Sequence, residues 1–277
     1  MKSSYTVYFI LVLTFKTGFI YSQADPSFSV KWENLPWASG GEIPAGPPWS
    51  MVGPYDFDGD NFGDFIVSSA YAGAYCNGVY HYEAAGNDSI DLRWVYTFYE
   101  LNCADDAYSS VGVGDIDGDG NQEILALVDT SPGVIGQDAL QIFEWNPDSM
   151  SFLSEPTYTW DMGLEAVWEA GQILVEDVDG DGNQEIIVSI MNGPSWADMS
   201  TGGSSQLIIF EFQSATDGQA LFNIEYEDNI WTNWSGYNIS TGDLDGDGFI
   251  EIYTVAYEYY HLITVSYTHL RAHETSE

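Results

Sequence analysis

Carboxylates recur at fixed spacing in Asp115-Ile116-Asp117-Gly118-Asp119-Gly120-Asn121-Gln122-Glu123, and three other segments repeat the pattern: DFDGDNFGD from Asp56, DVDGDGNQE from Asp177 and DLDGDGFIE from Asp243. Positions 1, 3, 5 and 9 are acidic in every copy. They are Asp56, Asp58, Asp60 and Asp64; Asp115, Asp117, Asp119 and Glu123; Asp177, Asp179, Asp181 and Glu185; and Asp243, Asp245, Asp247 and Glu251. Three carboxylates within five residues repel one another unless a cation sits among them. Alternate side chains of a tight loop can converge on one point and form the hard oxygen cage that Ca²⁺ prefers. Position 7 is Phe62, Asn121, Asn183 or Phe249, and this mixture of apolar and polar residues suits a ligand supplied by the backbone carbonyl. The sequence therefore predicts up to four structural Ca²⁺ sites.

Spacing separates these loops from an EF-hand, which needs a bidentate Glu at position 12 and flanking helices. Here the last carboxylate is at position 9, and short β-prone runs follow: Phe65-Ile66-Val67, Ile124 to Leu127, Ile186-Ile187-Val188 and Ile252 to Val255. Each loop thus joins two strands. The strands entering the loops are read at Trp49 to Tyr55, Tyr108 to Gly114, Gly171 to Glu176 and Tyr237 to Gly242. Third strands are read at Gly78 to Tyr82, Leu140 to Trp145 and Gln206 to Phe212, and a fourth at Leu92 to Phe98. The loop starts lie roughly 60 residues apart, a repeat-array period.

Four strands per unit with no convincing helix predict an all-β chain, a β-propeller of four-stranded blades. Three full blades and a fourth ending after its second strand are expected. Each blade must bury both faces on its neighbours, and an aromatic content of 16% supplies large side chains for that packing. The pattern φ-x-x-G-D-φ-D-G-D-G-x-x-E-φ at Val111 to Ile124 resembles the FG-GAP/VCBS repeats, similar to those of the integrin α-subunit propeller. The resemblance covers Trp49 to about Val255. It implies a propeller, commonly seven-bladed, of which about three and a half blades are present, with Ca²⁺ held by the carboxylates and the position-7 carbonyl of each loop. Asn61 stands at position 6 where the other loops have Gly, and Asn tolerates the left-handed conformation.

The ends read differently from the repeats. Residues 1–24 combine Lys2, an apolar run from Tyr5 to Ile20 and the small-x-small pattern Ser22-Gln23-Ala24, the form of a secretory signal peptide. Lys16 leaves that run short of the roughly 20 residues of a membrane span, and no transmembrane span is expected after cleavage. Residues 265–277, beginning Val265-Ser266-Tyr267-Thr268-His269-Leu270-Arg271, read as a sequencing adapter translated in frame, which would place the end of the native fragment near Thr264. Residues 25–264 form the repeat region.

Of 43 acids and five bases, the two ends take two acids and three bases, leaving only Lys31 and Arg93 as bases in the repeat region. Such a surface repels polyanions, so nucleic acid is excluded as a partner on charge grounds. Cys76 and Cys103, the two cysteines, are read either as one disulfide or as two separate buried thiols. The segments at Trp196 to Met199 and Trp231 to Trp234 are loop aromatics, read as packing groups or as platforms for sugars. Asn87, Asn233 and Asn238 head formal glycosylation sequons, to which no role is assigned.

No GxSxG, HExxH or P-loop occurs, and His and Lys are scarce, which argues against catalysis. The reading is a secreted or cell-surface calcium-binding module for an extracellular protein or glycan. The alternative is the scaffold of a carbohydrate-active enzyme such as a polysaccharide lyase, a role some relatives of these repeats have. A purely structural array is the third class.

Overall fold

The computed structural model describes residues 48–69, 78–86, 89–97, 109–127, 140–160, 162, 167–192, 204–231, 238–255 and 260–264, all within one unit that spans residues 34–277. Sixteen strands and no helix occur among the described residues. The first sheet runs in simple order through β1 (Pro48–Tyr55), β2 (Asp64–Ser69), β3 (Gly78–Ala84) and β4 (Ile90–Thr97), antiparallel throughout.

The second set contains β5 (Ser110–Gly114), β6 (Glu123–Leu127) and β7 (Leu140–Asn146), with two short strands, β8 (Ser151–Phe152) and β9 (Tyr158–Trp160), both pairing with β7. The third is a meander of β10 (Val167–Glu176), β11 (Glu185–Asn192), β12 (Ser204–Thr216) and β13 (Gln219–Trp231). A single parallel pair, Gln219 with Thr159, joins these two sets into one path, β10-β11-β12-β13-β9-β7-β6-β5. This eight-strand path is nearly closed and barrel-like, because its two ends, β5 and β10, meet again. They meet face on rather than as a hydrogen-bonded edge. A Cβ at Gly112 would lie 2.6 Å from Ile173 Cγ2, and one at Gly114 would collide with Val175, so glycine permits the approach.

The last sheet is β14 (Asn238–Gly242), β15 (Glu251–Val255) and β16 (Tyr260–Thr264). The expectation that the fourth unit ends after its second strand is corrected by β16, which pairs antiparallel with β15 along its length. Residues 1–33, Cys76, Cys103, Trp196 to Met199 and 265–277 lie outside the described residues, as does the tryptophan at 234.

Strand periodicity explains the core. Successive side chains of a strand point to opposite faces, and the second strands are apolar on both. On β6, Ile124 and Ala126 pack with Ile66, Val79 and Trp94 of the first sheet, whereas Leu125 and Leu127 pack with Ile173, Ile186 and Val188 of the third. On β11, Ile186, Val188 and Ile190 face the second set, and Ile187 joins Ile239 and Ile252 of the last sheet. Each middle sheet is therefore a wall shared by two cores. The apolar residue at loop position 2 plugs the next interface: Phe57 stacks 5.5 Å from Trp145, Ile116 enters the core with Ile173, and Val178 that with Ile239. Leu244, its counterpart in the last loop, is 65% exposed.

Candidate metal centres

The four acidic segments connect the first and second strands of the four units, and each is braced by the same hydrogen bonds. Position 1 Oδ2 accepts from the position-6 backbone N–H at 3.1, 3.0, 3.1 and 3.0 Å in loops 1 to 4. Position 3 Oδ1 accepts from the position-5 N–H, and position 5 Oδ1 from the position-7 N–H. The position-9 carboxylate reaches back to the position-2 N–H at 2.9, 2.8, 2.7 and 2.7 Å. These bonds fold the loop with one oxygen of each carboxylate. Among the second oxygens, Asp177 Oδ1 and Asp243 Oδ1 also accept from the position-4 N–H, whereas Asp115 Oδ1, Glu123 Oε1 and Glu185 Oε1 are buried without a partner. Position 4 is glycine with φ between 73° and 80° in every loop, and Asn61 at position 6 has φ 70° where Gly120, Gly182 and Gly248 have φ of 92° to 101°. Asn therefore adopts the left-handed backbone expected of it.

The loops differ in how many acids converge. In loop 2, Asp115, Asp117, Asp119 and Glu123 each place an oxygen within 4.8 Å of the others. In loop 3, Asp177, Asp179 and Glu185 form one group and Asp181, Glu185 and Glu211 a second; loop 4 groups Asp243, Asp245 and Glu251, without Asp247; loop 1 groups Asp56, Asp58 and Asp60, without Asp64. At position 7, Phe62 and Phe249 are exposed, and the Asn121 and Asn183 side chains donate to their own position-5 carboxylates. A contribution from position 7 would thus come from the main chain.

The donor set fits a cation in loops 2 and 3. Glu123 and Glu185 are 0% exposed, and Oε1 of each, like Oδ1 of Asp115, is buried without a hydrogen-bond partner. A buried carboxylate oxygen without a donor is costly, and a hard cation would satisfy it. Burial, with Asp117, Glu144 and Asp115 nearby, pushes Glu123 up to about 9, although the Ile116 N–H favours its charged form. Burial, then Asp179 and Glu225, raises Glu185 to about 8 against a similar bond from Val178.

The third strands fall where the sequence places them, but sequence reasoning missed the glutamates they carry. Glu83, Glu144 and Glu211 stand opposite the position-9 acids Asp64, Glu123 and Glu185 in the strand register. Glu144 is raised to about 7 by burial and by Asp119 and Asp117, and Glu225 on β13 is raised to about 7 by burial and Glu211. A signal was present, because each third-strand glutamate follows an aromatic residue: Tyr82, Phe143 or Phe210. In loop 1 the chain itself supplies the opposing groups. His81, 1% exposed, has Nε2 2.7 Å from Asp64 Oδ1, where the ring donates to the carboxylate. Arg93 Nε lies 2.9 Å from Glu83 Oε2. An open cleft of about 570 Å³ separates loops 2 and 3, lined by Asp115, Asp117, Asn183, Gln184, Glu211 and Phe212 among others.

No protein-family model matches the chain, and no curated protein matches it. The crystal structure of the V. cholerae biofilm matrix protein Bap1 aligns with a TM-score of 0.28 at 17% identity, covering 71% of this chain and 30% of that one. This chain thus spans less than a third of that protein's length.

Proposed function

We propose that the chain is an extracellular binding or adhesion module whose loops hold structural Ca²⁺ and whose sheets are blades of an FG-GAP-type propeller. The observation that carries the calcium reading is the pair of buried, unpartnered oxygens, Glu123 Oε1 and Glu185 Oε1, each set among further carboxylates. The oxygen-only donor set favours a hard cation such as Ca²⁺ over softer metals. The propeller reading is supported by the serial stacking of the sheets through shared walls. It is also supported by Leu244, exposed at the position where Phe57, Ile116 and Val178 are covered by the following sheet. The full ring would be seven-bladed by the family resemblance.

In this reading the ions rigidify hairpins that would otherwise repel themselves, and the partner, an extracellular protein or glycan, is met elsewhere on the surface. The leader-like N-terminus supports export. No helix among the described residues is long and apolar enough to cross a membrane. Two measurements test the proposal. Thermal melts with calcium and with EDTA are expected to differ strongly, and superimposable melts would refute the metal role. Glycan and protein arrays probed with the calcium-loaded chain are expected to yield a saturable partner.

A further inference from the structure

Loop 3 differs from the other loops in having two overlapping groups of acids, and Glu185 belongs to both. The second group contains Glu211 of β12, which is the residue opposite Glu185 in the β11–β12 register. Oxygens of Asp181, Glu185 and Glu211 lie within 4.8 Å of one another. Glu185 uses Oε2 to accept from the Val178 N–H at 2.7 Å, while its Oε1 is buried and unpartnered. Asn183 Nδ2 donates to Asp181 Oδ2 at 3.3 Å and to Glu211 Oε1 at 3.1 Å, tying the loop acid to the strand acid. The charged groups facing Glu211 are Asp181, Asp179 and Glu225, all acidic. The equivalent Glu83 has Arg93 beside it, and the register position opposite Glu251 is Thr264.

We propose that Glu211 is a direct ligand of the loop 3 cation, so that the ion fastens β12 to the β10–β11 hairpin instead of closing the hairpin alone. The proposal rests on the calcium reading above and adds to it a ligand from outside the nine-residue motif. Calcium takes six to eight oxygens, and the loop's four carboxylates and one carbonyl leave room for another carboxylate. The electrostatics point the same way: no basic group among the described residues neutralises Glu211, and Asp181 groups with it and Glu185 and not with Asp177 and Asp179.

The test is calcium titration of the full chain by competition with a chromophoric chelator, comparing wild type, Glu211→Gln and Asn183→Ala. Melts in EDTA accompany each titration. Glu211→Gln keeps the shape and the acceptor for Asn183 but removes the charge. It is expected to weaken one site about tenfold or more, as loss of a charged ligand does. Its melt in EDTA should hold or rise, because a repelling charge is gone. Asn183→Ala keeps every carboxylate and is expected to weaken binding less than Glu211→Gln. An unchanged calcium isotherm for Glu211→Gln overturns the proposal. An equal fall of that variant's melt with calcium and with EDTA also overturns it, since that is the mark of a packing role. Absence of calcium binding by the wild type would instead refute the underlying reading of the loops.

Discussion

Loops 1 and 2 share one sequence pattern and balance their charge in opposite ways. In loop 2 the position-9 acid, Glu123, is buried with one oxygen unsatisfied, and its third-strand neighbour Glu144 adds another carboxylate. In loop 1 the corresponding acids, Asp64 and Glu83, are met by His81 and Arg93. Arg93 is one of only two bases in the repeat region. Asp64 also falls outside the converging group of its own loop, because its shorter side chain is committed to His81 and the Phe57 N–H. The lesson is that the motif specifies how a loop folds, while the third and fourth strands determine which partners its acids find within the chain.

Removing calcium offers the largest test of this contrast. Each site held at 100 times its dissociation constant contributes about 2.7 kcal/mol, so EDTA should lower the melting temperature by well over the shift of any single substitution. Differential scanning calorimetry measures it, and hydrogen exchange should locate the loosening at loops 2 and 3 more than at loop 1.

Next in size is His81→Phe, which leaves a buried oxygen of Asp64 without its hydrogen-bond donor and should cost about 3 kcal/mol. Denaturant melts should register that loss equally in calcium and in EDTA. Glu123→Gln should behave in the opposite manner, costing about 1–3 kcal/mol in calcium through loss of a charged ligand and nothing in EDTA. If both variants responded alike to EDTA, the distinction between the two loops would fail.

A smaller effect comes from pH. The folded-state values of Glu123 and Glu185, about 9 and about 8, lie above that of an unfolded glutamate. The calcium-free fold therefore binds extra protons, and its stability is fully present below the unfolded value and falls as pH rises towards 8 to 9. Melts in EDTA should drop between pH 5 and 8, while calcium-loaded melts should not follow them. The smallest effect is that of Arg93→Gln. The arginine is 42% exposed, and a pair open to solvent contributes about 1 kcal/mol or less.

The loops were legible in the sequence because their fold is local. Every brace runs between residues two to seven apart, and the glycines at position 4 mark the left-handed turn. The strand-loop-strand arrangement followed from the apolar runs on either side. Glu83, Glu144 and Glu211 were not legible as members of the centres, because each is placed by pairing with a residue 19 to 26 positions earlier. That register exists only once the sheet has formed. The five residues of β16 were missed for a related reason. Tyr260-His261-Leu262-Ile263-Thr264 has the length of a strand, but only the ladder to β15 distinguishes it from a connecting segment. Splitting of the second unit's fourth strand into β8 and β9 likewise reflects tertiary pairing with β7.

The shared wall at β6 has a mechanical consequence. Glu123 is the first residue of the strand, and the next two side chains, Ile124 and Leu125, belong to two different cores. A cation gripping Glu123, as proposed, would therefore act as a rivet at a junction where two interfaces meet. Load passed along the chain through that hairpin would be divided between both interfaces, and loss of one ion would soften the sheet before it and the sheet after it together.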